Sequence, residues 1–280
     1  MIQHKDRSTL GISLQLSAKQ KPFAYTGMLA LMVGTVVTIA LQLKLPGYAI
    51  LALGAALSLG AGRAFYRHIL LVFLAIGIIG FTPISTDLSL SHFMTMGALI
   101  SLAVAIPYVI TRYVYREDVI RFPFGKYKWT RSHVGYLLLA AVLSYLILPF
   151  WMQSTGGHLN WTVIPNAYHL TVLFIGTNGL GVWDELFFIV TVLGLLRRHF
   201  PFWQANLFQA VLFTSFLFEL GFRGWAPLIV FPFALLQGEV FRRTENLLYV
   251  IAIHLTIDFV LYLALINAHL PHLVDVFIGQ

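Results

Sequence analysis

The strongest constraint on this chain is a succession of apolar runs, near residues 23–43, 47–62, 68–86, 93–111, 133–152, 162–196, 202–222, 226–241 and 246–267, set apart by charged residues or Pro, Gly and Asn breaks. About 18–20 mainly apolar residues span the hydrocarbon core of a bilayer as a helix, and several of these runs are long enough. The ten-residue alternation of a membrane β-barrel is absent. The expected fold is an all-α polytopic membrane protein, a helical bundle of about eight to nine transmembrane helices. Composition agrees, since 59% of residues are hydrophobic and 10% are charged, where soluble domains carry roughly 25% charged residues.

Charge placement predicts the topology. With the N-terminus in the cytoplasm, sixteen of the 18 Lys and Arg residues fall on the inner side, and only Lys44 and Arg223 fall outside. The inner set runs from Lys5, Arg7, Lys19 and Lys21 through the basic stretch between Arg112 and Arg131 to the pairs Arg197–Arg198 and Arg242–Arg243. This is a positive-inside pattern, and it accounts for the net charge of +7 without a nucleic-acid partner. Residues 1–22 show no small-residue cleavage site after a short apolar core, so the first span is expected to be an uncleaved anchor. The expected location is a bacterial inner (cell) membrane. Cysteine is absent, which excludes disulfides and thiolate chemistry.

The inner-side count requires residues 162–196 to make one net crossing, although they are too many for a simple helix. Gly176, Asn178, Gly179 and Gly181 predict a break there, either beside a hydrated cavity or as an interfacial helix leading into an ordinary span.

Within these apolar runs stand Asp184 and Glu185, and about seventy residues later His254 and Asp258. A charged group at the bilayer centre costs at least ~2.5–3.5 kcal/mol, so such residues mark a functional site by default. Glu185 lies twelve residues from Arg197, roughly 18 Å along a helix, and Asp258 lies a similar distance from Asn246. His254 and Asp258 are four apart on one helix face. Matched depth predicts one shared site, with Glu185 as general base and His254 stabilising an oxyanion or holding the attacking water. The competing reading is a buried polar cluster that fixes helix packing. No cofactor is required by the sequence. A divalent metal is the weaker alternative, because one buried histidine with carboxylates would have to serve as ligands. Glu219 and Arg223 are expected to form an interfacial ion pair.

From Trp183 to Phe259 the chain resembles the CPBP family of CAAX-protease and bacteriocin-processing intramembrane endopeptidases. The family's Glu-Glu-x-x-x-Arg motif aligns with Asp184 and Glu185, and its His-x-x-x-Asn/Asp motif with His254 and Asp258. Ile189 stands where the first motif has arginine, and Phe222 where the Phe-x-x-x-His motif has histidine. The resemblance implies hydrolysis of membrane-associated peptide or protein substrates, including lipidated C-termini, by glutamate-activated water. It assigns Glu185 and His254 the central roles, with Asp184 and Asp258 in support. Residues 1–22 are then a cytoplasmic tail, 23–152 N-terminal transmembrane helices, 162–267 the CPBP-like core, and 268–280 a short C-terminal tail. The departures at Ile189 and Phe222 leave a second expectation, a catalytically impaired relative acting as a membrane-protein binding or immunity-type factor. A third, a transporter with a carboxylate proton relay, would be expected to carry an inverted repeat, and none is evident. Nothing in the chain sets an oligomeric state.

Overall fold

The computed structural model describes residues 16–124 and 129–277, so Lys5, Arg7, Lys126 and Lys128 of the inner basic set lie outside the described residues. The described residues form helices joined by irregular segments and contain no strand. Seven helices are long and apolar enough to cross a membrane: α1 (Lys21–Ala40), α2 (Lys44–Ala61), α3 (Arg63–Phe81), α4 (Leu90–Val114), α5 (Arg131–Thr155), α6 (Ala167–Leu196) and, last in the chain, α9 (Leu247–His269). Two further helices, α7 (Phe202–Leu220) and α8 (Pro227–Thr244), stand between α6 and α9. The chain is a multi-pass, all-α membrane protein, as the apolar runs predicted.

The expected break in the sixth run does not occur. Gly176, Asn178, Gly179 and Gly181 all lie inside continuous helix, and α6 extends over 30 residues. Its irregularity comes later, as a stretch of π-helix over Glu185–Val192. There the Thr191 hydroxyl donates to the carbonyl of Leu186, five residues back, at 2.9 Å. Opening a helix in lipid strands backbone polar groups at several kcal/mol each, whereas glycine weakens a helix by only ~1 kcal/mol. Helix therefore persists through the glycines. π-helical turns are rare and concentrate at functional sites, and this one begins at Glu185.

An aromatic layer holds α6 to its neighbours. Trp183 stacks on Phe187 with centroids 5.0 Å apart, and lies 4.9 Å from Phe216 of α7. Phe188 packs edge-on against Phe213 of α7 at 5.0 Å. The Trp183 indole N–H donates to the carbonyl of Ile100 on α4 at 2.7 Å. These contacts turn the apolar face of α6 toward α4 and α7, and leave Asp184 and Glu185 to face α8 and α9.

Polar contacts at the two ends follow the charge pattern. At one end His68 of α3 hydrogen-bonds with His199 (Nδ1···Nε2, 2.8 Å) and with Glu117 (Nε2···Oε2, 2.7 Å), and Arg67 pairs with Glu117. This cluster joins α3 to the segment after α4 and to the α6–α7 connection. Burial, together with His68, Arg198 and Arg67 nearby, pushes the His199 imidazole down to about 3. At the other end Glu219 reaches Arg223 at 3.5 Å, the ion pair expected from sequence, and Lys44 donates to the carbonyl of Gly80 at 2.8 Å. Arg223 lies past the end of α7 rather than on it, because the helix stops at Leu220 and Gly221 turns with φ +121°.

Candidate active site

The structure brings all four sequence-predicted residues together. Asp184 and Glu185 come from the middle of α6, at the onset of the π-helix, and His254 and Asp258 from one face of α9. All four are buried, with exposures of 1%, 0%, 4% and 7%. The close approach of α9 to α6 depends on Gly181, where a Cβ would run into the Asp258 carboxylate and lie 3.2 Å from the His254 ring.

His254 is the hub. Its Nδ1 hydrogen-bonds Glu185 Oε1 at 2.8 Å, and its Nε2 lies 3.8 Å from both Asp184 Oδ2 and Asp258 Oδ1. A separation of 3.8 Å is too long for a direct hydrogen bond and leaves the Nε2 face available to another partner. Phe213 and Phe233 frame the ring, the latter edge-on at 5.4 Å. Asp184 Oδ1, Glu185 Oε2 and Asp258 Oδ2 are buried without a protein hydrogen-bond partner. Leaving a buried acceptor unpaired costs ~1–3 kcal/mol, more for a charged group. Three such oxygens at one point do not suit a cluster whose task is only to hold helices together, which would be expected to satisfy its own members.

The site stands at the polar end of a cavity of about 360 Å³. Asp184, His254, Asp258 and Gln237 contribute to its wall, and Glu185 does not. The rest of the lining is almost wholly apolar. Residues of α5 from Tyr136 to Trp151 form one side, and Ala226 with residues of α8 from Ile229 to Leu236 the other. Leu139, Leu143 and Leu236 belong to that lining and yet are 49%, 46% and 46% exposed, so the cavity opens sideways between α5 and α8 on the lipid-facing surface.

The two departures from the family motifs have defined places. Ile189 is fully buried in the π-helical stretch and borders a small cavity beside Val119 and Pro123, apart from the carboxylates. Phe222 lies in the wall of the large cavity, stacked on Trp151 with centroids 5.1 Å apart and edge-on to Trp161. Phe222, matched from sequence to the second motif, is thus part of an apolar wall.

One site residue escaped the sequence reading. Gln237 of α8 is 1% exposed, and its side-chain amide donates to Glu185 Oε1 at 2.8 Å and to the carbonyl of Val250 at 3.3 Å. Its trace in the sequence is a lone amide in the apolar stretch FPFALLQG. Among the described residues no group of three or more His, Cys, Asp or Glu is arranged to hold a metal ion.

Residues 165–260 match the family model described as type II CAAX prenyl endopeptidase Rce1-like. The match contains all four site residues and Gln237, and it falls on the stretch whose motifs resemble the CPBP endopeptidases. No curated protein and no solved structure matches the chain.

Proposed function

We propose, from the Rce1-like match and from the cavity that ends on Asp184, His254 and Asp258, that the chain is an intramembrane endopeptidase acting on lipidated peptide C-termini. At the level of the family the match is to a CAAX-protease-like membrane endopeptidase. The observation that carries the proposal is a hydrogen-bonded histidine and two carboxylates at the polar end of an otherwise apolar cavity that opens toward lipid. An apolar chain fits the cleft between α5 and α8 while the attached peptide reaches the carboxylates.

The geometry favours a division of roles different from that read in the sequence. Glu185 Oε1 accepts from Gln237 and is hydrogen-bonded to His254 Nδ1, and Glu185 does not border the cavity, so its task is to orient His254. Asp184 and Asp258 both border the cavity with an unpartnered oxygen, and Asp184, which stands at the paired-carboxylate position of the family's first motif, is the one assigned to take a proton from the attacking water. His254 Nε2 faces the same space and, when protonated, donates to the oxyanion formed at the carbonyl. The C–N bond then breaks, and the proton that Asp184 took from water passes to the leaving amine, which restores the carboxylate. Asp258, beside Nε2, supports the charge on the ring. Nothing in these steps uses Ile189 or Phe222.

A prenylated CAAX-type peptide, presented to the purified protein in proteoliposomes, tests the proposal. Cleavage is expected, with Asp184→Asn slower by ~10²–10³ as for loss of a principal catalytic group. Equal cleavage by wild type and Asp184→Asn would remove the hydrolase assignment to this site. A second reading, a binding protein that retains the substrate without cleaving it, is favoured by the aromatic wall at Phe222. Saturable binding of the peptide with no turnover would select it.

A further inference from the structure

We infer that Gln237 is a positioning residue of this site, fixing which ring nitrogen of His254 carries the proton by acting through Glu185. The inference rests on the proposed hydrolase reading, but it is carried by hydrogen-bond chemistry that does not require turnover.

The Gln237 amide group touches two acceptors, Glu185 Oε1 at 2.8 Å and the Val250 carbonyl at 3.3 Å. A backbone carbonyl can only accept, so the group that meets both must be the NH₂, and the amide has one orientation. Glu185 Oε1 therefore accepts from Gln237. The same oxygen is 2.8 Å from His254 Nδ1. A donor on Oε1 favours the unprotonated form of that oxygen, so a proton on Glu185 is drawn to Oε2. With Oε1 unprotonated, the Nδ1–Oε1 contact is donated by the imidazole. Nδ1–H is fixed, and Nε2 becomes the nitrogen that exchanges protons with the cavity, between Asp184 and Asp258.

Without Gln237, Oε1 could itself be protonated and donate to Nδ1, which would leave Nε2–H on a neutral ring, a weaker donor to the oxyanion than the imidazolium that a Glu185 carboxylate supports. Glu185 and His254 alone do not decide between these forms; the amide from α8 does. The position of that amide is itself held. Asn206 and Gln209 of α7 donate to the carbonyls of Leu235 and Ala234 at 2.8 and 2.9 Å, one turn before Gln237. Pro232, at the start of the same turn, removes one backbone donor from α8, and the α7 amides bind the helix immediately after it. Gln237 also spans helices, because its second bond goes to the backbone of α9 four residues before His254.

The test uses full-length protein with ¹⁵N-labelled histidine ring nitrogens, with the His254 signals assigned by their loss in His254→Asn. Gln237→Met keeps the length of the side chain and removes the donor; Gln237→Glu keeps the shape and can offer only a single proton. The wild type is expected to show His254 protonated at Nδ1. Gln237→Met is expected to show a mixture of the two ring forms, with kcat on a cleavable peptide reduced about 10-fold and KM within about twofold. Gln237→Glu supplies the same comparison if the methionine variant does not fold. Unchanged His254 signals in a folded variant would overturn the inference, as would loss of folding in both, which would make Gln237 a structural residue. A wild type without peptidase activity would remove the proposed function and leave the Gln237 assignment to be decided by the spectra.

Discussion

At the residue scale the site separates two carboxylates that are neighbours in sequence. Asp184 and Glu185 leave α6 about 100° apart around the helix axis, so one borders the cavity and the other reaches behind the imidazole. This makes their substitutions unequal. Glu185→Gln retains an oxygen that can accept from His254 Nδ1, and its turnover is expected to fall by only about 10-fold, well short of the loss in Asp184→Asn; steady-state kinetics on the same peptide separates the two, and the reverse order would return the base to Glu185. The meeting of Asp184, Glu185, His254 and Asp258 was legible in the sequence because each is costly in lipid and because depth along a helix can be counted from its basic end. Gln237 was not, since a neutral amide incurs a far smaller insertion penalty and its partner lies 52 residues away. The same is true of His68 and His199, which meet across 131 residues. What could be read was the chemistry of each residue, and what could not was the pairing of neutral groups across distant helices.

Elements account for how those residues come to share a place. The α6–α9 contact is set by Gly181, so Gly181→Ala is expected to push the helices apart at the site itself. Overpacking of this kind costs ~1–3 kcal/mol, and it should lower both the thermal midpoint in detergent and the turnover; a variant as stable and as active as wild type would show that Asp258 and His254 have room to yield. The number and placement of the helices could be read from the apolar runs, yet the interior of the sixth run was misread. Glycine was taken as a helix breaker on its behaviour in water, where an opened backbone finds new partners. In lipid it finds none, and the glycines serve packing instead. The π-helical stretch that does interrupt α6 left no sequence signal, because its residues, ELFFIVTV, are as apolar as any ordinary span.

The whole molecule adds constraints that no single helix carries. Its basic end is tied together by Glu117, His68 and His199, and His199 titrates far below its unfolded value of ~6.5. Since the unfolded chain binds the proton more readily, this stability is fully present above pH ~6.5 and drains as pH falls toward about 3, at up to ~1.4 kcal/mol per unit. Thermal midpoints measured between pH 7.5 and 5 are expected to fall for the wild type and to fall less for His199→Gln, which keeps a donor and does not titrate; parallel slopes would assign the acid sensitivity to other groups. The lateral cleft between α5 and α8 can be tested in the same way, by filling it. Ser144→Phe, on the α5 side of the cavity, is expected to raise KM for a lipidated peptide several-fold and to change the thermal midpoint little. That cleft has a pharmacological corollary. A compound that reaches the carboxylates by way of the hydrocarbon layer competes at its concentration in the membrane, so its apparent potency should track its partition coefficient and weaken as lipid is added at constant total dose. Inhibitors of this protein would therefore be ranked correctly only by mole fraction in the bilayer.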